Sequence, residues 1–209
     1  MQSQTVLEAM MASAGCGLQY ERADYRLPVP QAWFDLLPPL PDDRPILIYR
    51  PLCARPEWRG SMIRNADPAA YAALLEAVRH RYRVVSVADL VPGHEWLVGP
   101  EPDADLKLHQ GELSFEALAA LFARADLAFT SAGFGTILAP AVGTPVVSVV
   151  GGYEHSSWLS SAAKFVPYLG IDPIRPCACA VSGCRARCDK RIDLPTAIER
   201  LLHFVETLP

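Results

Sequence analysis

From Pro45 onward two periodicities alternate along the chain. Short runs rich in β-branched residues, "ILIYR" (46–50), "YRVVSVADL" (82–90), "DLKLHQG" (105–111), "LAFTSA" (127–132) and "PVVSVVGG" (145–152), read as five strands. Between them apolar residues recur every three or four positions: Tyr71, Leu74, Leu75 and Val78, then Leu118, Leu121 and Phe122, then the short run "FGTILAPAV" (134–142). Asp67 is placed to accept an orphan first-turn N–H of the first of these helices, and Pro68 suits the first helical position, where no N–H is needed. Ser114 or Leu113 opens the second. A last helix, capped by Asp193, carries Ile198, Leu201, Leu202 and Val205 on one face. Strands and helices alternating in this order predict βαβ crossovers and an α/β fold, a Rossmann-like parallel sheet with helices on both faces.

Residues 1–44 follow a different pattern. "VLEAMMASAGC" predicts a short helix stopped by Gly15 and Gly17, and the proline-rich "RLPVPQAWFDLLPPLPDDRP" cannot propagate a helix or a central strand. We read 1–44 as a connector and 45–209 as the domain. In a parallel sheet the ligand site lies beyond the carboxyl ends of the strands, so the loops that matter are 51–66, 88–95, 109–113, 131–136 and 151–158.

Composition changes this picture little. Hydrophobic residues make up 51% and charged residues 20%, as expected of a globular chain. The formal charge of −4 supplies no broad basic field, which disfavours nucleic acid as a partner. No apolar run approaches the roughly 18 residues of a membrane-spanning helix, and the N-terminus lacks a secretory pattern, so the expected location is the cytoplasm.

Candidate chemistry centres on "TSAGFGTILAPAVGTPVVSVVGG" (130–152). Gly133 and Gly135 fall where the fourth strand hands over to a helix. A helix N-terminus has unpaired N–H groups and a partial positive charge, and glycine lets an anion such as a diphosphate come close. Ser131 and Thr136 are candidate hydroxyl donors. The alternative is a tight turn with no ligand. No Lys-Ser/Thr follows, so this is not a Walker loop, nor is it a full GxGxxG. The loop after the first strand carries arginines at 50, 55, 59 and 64.

The stretch "SAGFGTILAPAVGTPVVSVVGG" resembles the C-terminal, donor-binding half of GT-B glycosyltransferases, and most of all the heptosyltransferase-like glycosyltransferase family 9. "RLPVP" followed by "DDRPILIYRP" resembles the link between that family's halves, and "EWRG" stands where its tryptophan-bearing loop is usual. The chain departs from the family at Ser131, where an acidic residue is usual, and near Thr136, where a histidine is usual. The resemblance implies that Ser131, Gly133, Phe134, Gly135 and Thr136 hold the donor diphosphate and that Arg50 and Arg59 reach the same charge. It also implies that His109, Gly111 and Glu112 flank the nucleoside, with Glu112 accepting a hydroxyl. The implied activity is transfer of a hexosyl or heptosyl unit from a nucleotide-sugar donor to an acceptor hydroxyl, with no metal required. The catalytic base then belongs to an N-terminal GT-B half, in the same or another chain, and its residue is unknown. Two alternatives stay open: a nucleotide-sugar epimerase-like enzyme and a non-catalytic nucleotide-sugar-binding module.

A separate cluster, "CACAVSGCRARC", places Cys177, Cys179, Cys184 and Cys188 at C-x-C-x4-C-x3-C spacing. Four thiolates so close together could enclose a tetrahedral structural zinc; reduced thiols or disulfides are the alternatives.

Overall fold

The computed structural model describes residues 25–40, 44–58, 63–159, 165–177 and 188–209. Its strands are β1 (Ile46–Tyr49), β2 (Cys53–Ala54), β3 (Arg83–Val87), β4 (Trp96–Leu97), β5 (Leu106–Leu108), β6 (Leu127–Ser131), β7 (Val146–Val149) and β8 (Tyr168–Ile171). The helices are α1 (Gln31–Phe34), α2 (Pro68–Arg79), α3 (Phe115–Arg124), α4 (Phe134–Val142) and α5 (Leu194–Glu206). Six strands make one parallel sheet in the order β5-β3-β1-β6-β7-β8, while β2 and β4 form a separate antiparallel pair.

Every residue of β1 and β7 is buried, which is why these strands read as unbroken apolar runs rather than alternating ones. Side chains of one strand point to opposite faces, and the two faces build two cores. Leu47, Tyr49, Leu127, Phe129, Val147 and Val149 pack with Tyr71, Leu74 and Val78 of α2 and Leu201 and Val205 of α5. On the other face Ile46, Ile48, Val85, Ala128 and Val146 meet Leu121 and Phe122 of α3 and Leu138 and Ala139 of α4. Asp67 caps α2 by accepting Ala70 N–H at 2.9 Å, Ser114 caps α3 by accepting Ala117 N–H at 3.2 Å, and Asp193 caps α5.

Two departures from the sequence reading stand out. The sheet has a sixth strand, β8, in register with β7 (Val149 opposite Ile171). "YLGI" carries no usable alternation because Gly170 interrupts it; a Cβ there would lie 2.3 Å from Ser156 Oγ, so the fold needs the bare backbone. The described part of the connector, 25–40, lies against the second core, where Leu27, Trp33, Leu37 and Leu40 pack and Leu27 N–H donates to Ala141 O at 2.7 Å. The helix expected over "VLEAMMASAGC" lies outside the described residues.

Strand order decides where a ligand can enter. The chain begins at β1, winds outward to β3 and β5, then returns to the other side of β1 with β6. The loops after β1 and β6 therefore diverge to opposite faces and leave a crevice at the carboxyl edge between them.

Candidate functional site

A cleft of about 350 Å³ occupies that crevice, lined from the β1 side by Arg50, Cys53, Arg55, Arg64 and Asn65 and from the β6 side by Ser131, Ala132, Gly133, Phe134 and Gly135. Val87, Asp89 and Glu95 close a third side, and Leu118 and Phe122 line its apolar part.

The β6 side is the start of α4. Its N-cap, Gly133, has no side chain to satisfy the first-turn donors, and among the described residues nothing accepts from the N–H of Phe134 or Gly135. Gly135 is dictated by packing, since a Cβ there would stand 2.9 Å from Thr130 Cγ2. Thr136 does not face the cleft as expected. It is fully buried, its hydroxyl donates to Ser131 O at 2.8 Å, and it shares a 2.9 Å bond with Thr130 Oγ1. The helix turns this side chain back onto β6, where the hydroxyl ties the strand end to the helix start.

The cationic side is assembled by register. In the β2–β4 ladder Cys53 pairs with Leu97 and Ala54 with Trp96, so the next step brings Arg55 opposite Glu95. Glu95 Oε1 accepts from Arg50 Nη2 at 2.6 Å and from Arg55 Nε at 2.8 Å, while Oε2 accepts Asp89 N–H at 3.0 Å. Burial alone would raise the pKa of this carboxyl; the Arg50 charge and the bonds from Arg55, Asp89 N–H and Arg50 outweigh it and hold Glu95 below the usual carboxylate range. Arg50 also donates to Val87 O at 3.3 Å and Cys53 Sγ at 3.2 Å. Burial pushes the Cys53 thiol up to about 11, so it is a protonated neighbour.

Arg64 is held separately. Its Nε donates to Glu154 Oε1 at 2.5 Å, and its carbonyl accepts Gly151 N–H at 3.1 Å. Asn65 donates to Cys53 O at 2.9 Å and accepts from Lys190 Nζ at 2.5 Å, which clamps the returning end of the loop. Among the described residues the buried Glu154 Oε2 has no hydrogen-bond partner.

Of the residues picked from sequence, Arg50, Ser131, Gly133, Phe134 and Gly135 come together in the cleft, and Arg59 lies outside the described residues. His109, Gly111 and Glu112 do not line it. His109 Nε2 is 2.8 Å from Ser86 Oγ, and burial lowers its pKa. Glu112 folds back to accept Gln110 N–H at 2.7 Å. Gly111, in the left-handed region at φ 74°, packs against Asp89; a Cβ there would approach Asp89 Oδ1 to 3.0 Å. Glu95, Asp89, Asn65 and Glu154 were not anticipated. The charged loops containing the acids were visible in sequence, but nothing in it said which arginine each would meet. Beside the cleft an apolar shelf runs from Phe134, 56% exposed, to Phe115 at 6.3 Å and on to Trp33 at 6.2 Å.

No protein-family model and no curated protein matches the sequence. Solved structures do resemble it in fold. A glycosyl transferase family 9 structure from Veillonella parvula aligns with a TM-score of 0.54 at 14% identity, over 88% of this chain and 53% of that one. ADP-heptose LPS heptosyltransferase II from E. coli aligns with a TM-score of 0.50 at 16% identity, over 87% and 53%. The fold is that of one half of a GT-B glycosyltransferase. The chain spans about half the length of these structures, and the six-stranded parallel sheet with helices on both faces is what it has in common with them.

Among the described residues no helix is long and apolar enough to cross a membrane. No group of three or more His, Cys, Asp or Glu side chains is placed to hold a metal among them. Cys177 and Cys188 are half-buried, whereas Cys179 and Cys184, with the rest of 178–187, lie outside the described residues.

Proposed function

We propose that this chain is the donor-binding half of a glycosyltransferase, taking the diphosphate of a nucleotide sugar into the cleft between β1 and β6. One observation carries the reading: at the switch point of the sheet an uncapped helix N-terminus faces Arg50, Arg55 and Arg64 across the same crevice. Each feature stabilises negative charge, and together they suit two linked phosphates better than one. In the transfer the acceptor oxygen bonds to the anomeric carbon as its bond to the diphosphate oxygen breaks. The charge that develops on the departing diphosphate falls on the N–H groups of Phe134 and Gly135 and on the arginines. The base that takes the acceptor proton comes from the facing half of the fold. The likeness in fold to the E. coli ADP-heptose LPS heptosyltransferase II makes an ADP-activated sugar the first donor to test.

A non-catalytic binding module is favoured by one feature: the first turn of α4, Phe134 to Ile137, carries no titratable side chain, and its one hydroxyl, on Thr136, is buried against Ser131 O.

Calorimetric titration with ADP-, GDP- and UDP-sugars, with a CMP-sugar as single-phosphate control, tests the reading. The expected result is binding of one nucleoside-diphosphate class, weakened by salt, with the CMP-sugar bound more weakly. Absence of binding at millimolar concentration of every donor refutes it. Adding a separately expressed N-terminal GT-B half divides the two versions: turnover supports the transferase, and binding without turnover supports the module.

A further inference from the structure

We infer that Glu95 is a positioning residue of the anion site, tying Arg50 and Arg55 together and fixing Arg50 so that its uncommitted N–H groups face the cleft. The inference rests on the donor-binding reading above and goes beyond it by assigning a role to a carboxylate where an anion is to bind.

The side chain of Glu95 is 1% exposed, so its charge is almost wholly withdrawn from water. Such a group is tolerated only when paired and hydrogen-bonded, and every bond it makes leads to an element of the cleft. One oxygen joins two arginines from the loop after β1, and the other anchors the backbone of Asp89 in the loop after β3. A guanidinium has five N–H donors. Among the described residues Arg50 commits three, to Glu95, Val87 O and Cys53 Sγ, and its Nε–H and second Nη2–H remain. With the planar fork fixed on three sides, those two donors have a set direction, and the side chain lines the cleft. The trio of two arginines and one carboxylate keeps a single positive charge, so the acid reduces attraction for an anion while ordering the groups that contact it.

These two effects have opposite signs, and that makes the role testable. If Glu95 only competes for the arginines, its neutralisation tightens anion binding. If it positions them, neutralisation weakens binding despite the gain in positive charge. The experiment measures affinity of the full 209-residue chain for inorganic pyrophosphate and for ADP, GDP and UDP, as wild type, Glu95→Gln and Glu95→Asp. The expected result is at least a tenfold loss for Glu95→Gln and a smaller loss for Glu95→Asp, which keeps the charge but cannot span both arginines. Arginine-15N spectra supply a signature that a general loss of stability does not mimic: the Arg55 Nε–H resonance shifts in folded Glu95→Gln, with the rest of the spectrum retained.

Equal or tighter pyrophosphate binding by folded Glu95→Gln overturns the positioning role while leaving the donor site intact. If Glu95→Gln does not fold, Glu95→Asp decides alone, and wild-type affinity in that variant overturns the role. Failure of the wild type to bind pyrophosphate or any of the nucleotides overturns the donor reading and this inference together.

Discussion

Replacing Gly133 by aspartate sets the stability of the fold against the use proposed for it. Gly133 is the N-cap of α4, its φ of 165° is extended backbone that any residue adopts, and a Cβ there would meet nothing within 4 Å. An aspartate fits without strain and brings its carboxylate to the first-turn N–H groups now left open to the cleft. Relative to glycine, capping and the helix dipole contribute about 0.3–1 kcal/mol. In a chain of this length that raises Tm by roughly 1–4 °C. The same carboxylate stands where the diphosphate is proposed to rest. Two unit charges about 4 Å apart repel by about 4 kcal/mol at an effective dielectric constant near 20. Allowing up to half of that for rearrangement leaves a loss of about 2–4 kcal/mol, or roughly thirty- to several-hundred-fold in affinity. Calorimetry with the donor that binds wild type, beside thermal denaturation of both proteins, gives the two numbers. Gly133→Ala is the control, with affinity within a few-fold of wild type because the space around it is open. A Gly133→Asp protein that binds its donor with undiminished affinity refutes the placement of the anion at this helix.

Gly151→Ala puts a Cβ 2.1 Å from Asn65 O and 2.7 Å from Arg64 O, both backbone atoms that cannot swing away. We expect a loss of about 1–3 kcal/mol or more in urea unfolding, with weaker donor binding as Arg64 is displaced; a neutral result contradicts the close approach of the two loops. Cys53, buried and with its thiol pushed up to about 11, is expected to resist iodoacetamide at pH 8 in the native protein and to react in urea, as read by peptide mass spectrometry. Native labelling as fast as in urea runs against its burial. Burial also pushes Tyr168 up to about 12 from an ordinary value of 10.0, and Tyr71 is raised as well. The unfolded chain then ionises first, so stability is intact below pH 10 and declines as the pH rises from there towards 12, by at most about 1.4 kcal/mol per pH unit for each such tyrosine. Urea unfolding at pH 7–11 checks the sign, and constant stability to pH 11 argues against it.

The legible part of this protein is local. Asp67 with Pro68, and Leu113-Ser114 ahead of "FEALAALFAR", announce helix starts through the chemistry of a few adjacent residues; Asp67 caps its helix as read, and of the two candidates for the other start it is Ser114 that caps. The unbroken apolar runs of β1 and β7 announce strands buried on both faces. The turn at Gly133 and Gly135 is likewise a local signal, and it arrives at the cleft. Thr136 misled because a hydroxyl beside a glycine turn looks available in sequence, whereas the first turn of α4 rotates it onto Thr130. The strand at Tyr168 escaped notice because Gly170 breaks the pattern on which strand recognition depends.

By itself, then, the sequence determined five of the sheet's six strands, the helices α2 to α5, and the handover of a strand to a bare helix start, since each depends on residues within a turn or two of one another. Tertiary structure alone decided that Arg55 meets Glu95 40 positions away, that Arg50 meets the same carboxylate across 45, and that Arg64 meets Glu154 across 90. Those pairings follow from the register of a two-residue ladder and from the strand order, both fixed by how apolar faces pack over the whole sheet. A charge in a loop carries no mark of the partner that packing will bring to it.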